Sequence, residues 1–140
     1  MIYHIFFIQK YNLIGDKMKF IKNSLFSILF IIISLIILTF LLTLFSYFNI
    51  INDKTVSIFK IIIPIISLLI GGYNIGKNSN KKGWLEGLKL SIIFIILLII
   101  FNLIFFKQGI NIKNILYYMI MTISTIFGSM IGISMKKNDK

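Results

Sequence analysis

Apolar residues gather into four long runs, separated by short polar stretches, at about 24–48, 56–76, 84–106 and 114–135. A membrane-crossing helix needs roughly 20 predominantly apolar residues, and each run is at least that long. The first has 25 residues without a charge and the last has 22. The second carries Lys60 near its start, and the third carries Glu86 and Lys89 in its opening turns. At such positions a long side chain can reach back to the interface. Pro64 lies one turn beyond Lys60, where it removes a backbone donor and is expected to bend the helix modestly. The intervening stretches 49–54, 77–82 and 107–113 are short enough to force successive helices to alternate in direction. The pattern predicts an all-α fold, a four-helix transmembrane bundle built of two antiparallel helical hairpins, occupying residues 18–140.

Residues 1–17 fit this pattern poorly. Their apolar stretch 5–8 is too short to span, no basic region precedes it, and no small-residue cleavage site follows it. Two expectations stand side by side. Translation starts at Met18, because the run Ile14, Gly15, Asp16, Lys17 is encodable by a stretch containing AGGAG, or residues 1–17 form a short amphipathic anchor lying on the membrane.

Composition strengthens the membrane reading. Hydrophobic residues make up 58% of the chain, charged residues only 14%, and the mean hydropathy is +0.96. Soluble domains are about a quarter charged, and one of this size could not hide so much apolar surface from water. Cysteine is absent, which excludes disulfides and thiolate metal sites. Alanine is absent too, and Val56 is the single valine; with the abundance of Ile, Phe, Asn and Lys this points to an A/T-rich bacterial genome. Without alanine, close helix contacts must be made by glycine, serine and threonine.

Charge sets the expected orientation. The net charge is +11, with fifteen lysines, no arginine and four acids. Eleven lysines fall in the N-terminal arm, around the 77–89 region and in the tail, against four (Lys54, Lys60, Lys107, Lys113) on the other side. Positive residues are retained in the cytoplasm, so both termini are expected inside a bacterial cytoplasmic membrane. The lysines lie between apolar runs and not along one face, which favours anionic lipid over nucleic acid; the lack of arginine, the residue of bidentate base and phosphate contacts, points the same way. Lys77, Lys81, Lys82, Trp84, Lys136 and Lys137 are the expected headgroup contacts, with the Trp84 ring suited to the interface.

The stretch 71–87 holds five of the nine glycines and the single tryptophan. Three stripes of small residues recur at four-residue spacing: Gly72 and Gly76; Gly83, Gly87 and Ser91; Ser124, Gly128 and Gly132. That spacing places them on one helix face, where backbones approach closely, so helix packing is the expected role and not ligand binding. Thr39, Thr43 and Ser46 also share a face and are expected to pack. The segment Lys82-Gly83-Trp84-Leu85-x-Gly87-Leu88, together with Gly71-Gly72-x3-Gly76 and Gly128-x3-Gly132, resembles the YrzE-like family of small membrane proteins in Firmicutes. The resemblance covers about residues 20–135; it implies four spans and integral membrane location and brings no known activity.

Recognisable chemistry is sparse. His4 is the single histidine, and no histidine, cysteine or carboxylate cluster offers a metal site. No nucleophile–base pairing is visible, and the glycine-rich stretch lacks the order of a phosphate loop. The expected role is that of a non-enzymatic structural or accessory subunit without cofactor. It would act through helix contacts, as a homo-oligomer or within a larger membrane complex. The alternative is a small oligomeric transporter or channel with Glu86, Lys89 and Asn74 at its mouth.

Overall fold

A computed structural model describes residues 1–107 and 109–138, with side chains through Lys136. It contains four helices: α1 (Ile2–Tyr47), α2 (Asp53–Lys77), α3 (Gly83–Phe105) and α4 (Ile112–Asn138). All four are long and apolar enough to cross a membrane. Each contains one of the four apolar runs almost entirely, and the polar stretches form the turns.

Local chemistry places the ends. α1 closes on Phe48 with Asn49 in the left-handed region at φ 54°, a conformation asparagine tolerates better than most residues. The Asn49 N–H donates to the Ser46 carbonyl and the Ile50 N–H to that of Phe45, each at 3.1 Å, so the last carbonyls of the helix are satisfied. Asn52, in extended conformation, precedes α2, and Asp53 places a negative charge in its first turn, where the helix dipole favours it. α2 runs unbroken through Pro64. At the start of α4 the Asn111 side-chain oxygen accepts a 2.8 Å bond from the Ile112 N–H.

α1 differs from the expected division at residue 18. The helix begins at Ile2 and is 46 residues long, about 70 Å at 1.5 Å per residue, against roughly 30 Å of bilayer hydrocarbon. Residues 2–17 contain no proline, and a lone glycine such as Gly15 costs only about 1 kcal/mol in a helix, so nothing local stops it. Residues 1–19 are all exposed.

The packing is uneven. α2 and α4 share the most extensive interface, α3 packs along α4 and α1 along α2, whereas the consecutive helices α2 and α3 touch far less. Gly72 meets Thr125 and Gly76 meets Ser129, so α2 and α4 point the same way; Gly83 meets Ile133 and Gly87 meets Ile126, so α3 and α4 oppose one another. Buried positions concentrate at the end carrying the α2–α3 turn. On α2 they run from Ile63 to Gly76 and on α3 from Gly83 to Phe94. On α4 they start at Met121. The opposite end has almost none. Thr39 and Thr43, expected to pack, are exposed there; the Thr43 hydroxyl donates to the Thr39 carbonyl at 2.8 Å and is satisfied by its own helix. α1 packs instead through Ser24, Ser27, Ile31 and Leu42.

Candidate functional site

Between membrane helices the lipid is as apolar as leucine, so association rests on dispersion at close range and on interhelical hydrogen bonds. Both are concentrated in a seam at the tightly packed end. A Cβ added to Gly72, Gly76, Gly83, Gly87, Gly128 or Gly132 would lie under 3.0 Å from an atom of a neighbouring helix. For Gly72 and Gly76 the obstacles are the backbones of Thr125 and Ser129; for Gly128 and Gly132 they are those of Leu69 and Tyr73. α2 and α4 therefore present glycine to each other's main chain reciprocally. Gly83 and Gly87 of α3 meet Ser129 from the other side.

Ser129 stands at the centre of these contacts. It is fully buried, and its hydroxyl donates to the Gly83 carbonyl at 2.7 Å, bonding α4 directly to the backbone of the first turn of α3. Ser124 makes a second bridge, donating to the Ile65 carbonyl of α2 at 2.8 Å. Ser91 is also buried but bonds within α3, to the Leu88 carbonyl. On another face of α2, Gly71 abuts the Ile31 side chain of α1, near the fully buried Ser27 and Ser67. Sequence reasoning passed over Thr125, Ser129, Ser27 and Ser67. The signal existed, since Thr125-x3-Ser129 repeats the four-residue spacing one position after Ser124-x3-Gly128, giving α4 two adjacent faces of small residues.

A polar network closes this end of the bundle. The Asn23 amide donates to the Asn78 carbonyl at 3.2 Å, that of Asn78 to the Asn74 side-chain oxygen at 3.3 Å, and that of Asn74 to the Ser27 hydroxyl at 3.4 Å. These bonds tie α1 to the end of α2. They also occupy Asn74, which the channel reading placed at a mouth. Lys136 turns inward: its ammonium donates to the Asn80 side-chain oxygen at 2.6 Å and the Ser79 carbonyl at 3.1 Å, clamping the α2–α3 turn to the end of α4. Lys77, Lys81, Lys82 and Trp84 are exposed around the same end, with the Lys77 ammonium 5.9 Å from the Tyr73 ring centroid. The Lys137 side chain lies outside the described residues.

Glu86 is only 3% exposed. Its carboxylate pairs with Lys89 at 3.5 Å, and the Lys89 ammonium lies 5.0 Å from the centroid of the Phe20 ring on α1. Beside it a pocket of about 70 Å³ is lined by residues including Asp16, Lys19, Asn23 and Lys81. Lys89 itself is half-exposed, so this pair within α3 is partly wet and contributes little, and the Lys89–Phe20 contact is what reaches α1. Among the described residues no group of three or more His, Asp or Glu could hold a metal ion.

The arrangement is built for rigid contact between helices. No curated protein and no solved structure matches the chain. A family model described as a protein of unknown function (DUF3792) matches residues 20–132, a stretch that starts within α1 and includes all of α2, α3 and the glycine seam, and the chain belongs to that family.

Proposed function

We propose that this is a non-catalytic subunit of a bacterial cytoplasmic membrane, of the YrzE-like kind, that works by holding a partner membrane protein through helix–helix contact. In this reading both termini and the α2–α3 turn face the cytoplasm, where Lys77, Lys81, Lys82 and Trp84 rest among anionic headgroups. The observation that carries the proposal is the distribution of contact surface. The glycine stripes on α2, α3 and α4 already meet neighbouring helices of the same chain, so they are not free to bind another protein. α1 is the helix left over: it packs along α2 and is otherwise exposed over most of its length. Its open face, including Ile36 and Phe40, is the surface assigned to a transmembrane helix of the partner.

Photo-crosslinking in the native membrane tests this. A crosslinker at Ile36 or Phe40 is expected to capture one defined membrane protein, or a second copy of the chain. The same group at Ile96 on α3 or Phe127 on α4, also exposed, should capture only lipid. Lipid alone from every position would defeat the proposal.

A further inference from the structure

The end of the bundle opposite the seam is not filled. Beyond Ile63 on α2, Phe94 on α3 and Met121 on α4 no residue of these helices is buried, and the helices part around a crevice of about 360 Å³. Its inner wall is apolar, made by Phe94, Leu98 and Met121, with Leu35 and Pro64 on the side of α1 and α2. Its rim is polar. Asn102, near the end of α3, and Asn114, Tyr117 and Tyr118, near the start of α4, line the crevice close to the helix ends. All four are partly buried, and among the described residues none of their side chains hydrogen-bonds to the protein. Among the described residues no charged side chain lines the crevice.

We propose that this crevice binds one neutral glycerolipid, its acyl chain against Phe94, Leu98 and Met121 and its hydroxyl-bearing end hydrogen-bonded by Asn102, Asn114 and Tyr117. The volume lies within the range of about 300–1,000 Å³ usual for small-molecule sites, and the lining has their composition, mostly apolar with a few convergent polar groups. The order of polarity matches a lipid molecule, apolar toward the bilayer centre and hydrogen-bonding at the surface. Bulk phospholipid would also fill an apolar groove. What singles out a neutral headgroup is a rim of two carboxamides and two phenols, with no cation among the described lining residues to hold a phosphate. Partly buried polar groups facing hydrocarbon are costly unless bonded, so a hydroxylated headgroup at the rim is favoured over an acyl chain there.

Native mass spectrometry of the full chain, released from nanodiscs containing dioleoylglycerol and dioleoylphosphatidylglycerol in equal amounts, tests this. The expected result is one retained dioleoylglycerol per chain, with little phosphatidylglycerol. Tyr117→Phe and Asn114→Leu should each weaken retention about three- to tenfold, the worth of one hydrogen bond. Leu98→Trp, which fills the crevice, should abolish it, whereas Phe101→Leu, on an exposed position outside the lining, should leave it unchanged. Tyr117→Phe removes a single hydroxyl and should melt like the parent, so its effect cannot be put down to misfolding. Equal retention of both lipids, or retention indifferent to all these substitutions, would overturn the assignment.

Discussion

Ser129 shows what a single residue does in this protein. One hydroxyl on α4 supports the first turn of α3 while the backbone around it lies against the glycines of α2. Ser129→Ala should cost about 1 kcal/mol, the usual worth of one hydrogen bond, and lower the melting temperature in detergent. Gly87→Ala should cost more, about 1–3 kcal/mol, because its new methyl group meets Ile126 Cα at 2.8 Å and the main chain must move. Thermal unfolding of the two variants should rank them in that order. The glycine stripes were legible in the sequence because, in a chain without alanine, few other residues permit close approach. The spacing of Ser129 was legible but its bridge was not, since a hydroxyl inside an apolar run looks alike whether it bridges helices, as at Ser129, or bonds its own backbone, as at Thr43. The burial of Glu86 was equally hidden, because it depends on α1 and the α2–α3 turn closing over the start of α3.

At the scale of the element, α2, α3 and α4 follow directly from their apolar runs, and their turns from the residues that interrupt those runs. α1 does not. Its residues 2–17 have a composition that can lie on a membrane, start a longer helix or precede the protein proper, and no periodicity chooses among these. The structure makes them helical without giving residues 2–15 any buried position. Removing residues 1–17 should therefore leave the stability of the remaining helices within about 0.5 kcal/mol of the full chain, as for other surface changes. A large loss of stability would show that the N-terminal half of α1 packs on the bundle. The turn after α1 offers a sharper local test. Asn49→Val places a β-branched residue at φ 54° and should cost about 1–2 kcal/mol, whereas Asn49→Gly should be tolerated.

At the scale of the whole molecule the bundle is tight at one end and parted at the other, and the positive charge follows the same division. Glycine, serine, the asparagine network and the clamping Lys136 gather with most of the lysines; the crevice lies at the opposite end with few of them. Fold class and span number could be read from hydropathy because lipid demands long helices with internally satisfied backbones. The pairing of α2 with α4 could not, since any two glycine stripes are equally able to meet until the turns fix which helices are neighbours. The central claim is that these helices cross a membrane with the tight end inside the cell. The chain has no cysteine, so single cysteines report position without background. Asn80→Cys, in the α2–α3 turn, and Gly109→Cys, where an added side chain meets open space, should be treated in intact cells with a membrane-impermeant maleimide. Gly109→Cys should be labelled at once and Asn80→Cys only after the membrane is opened; the reverse pattern, or immediate labelling of both, would rule out this orientation.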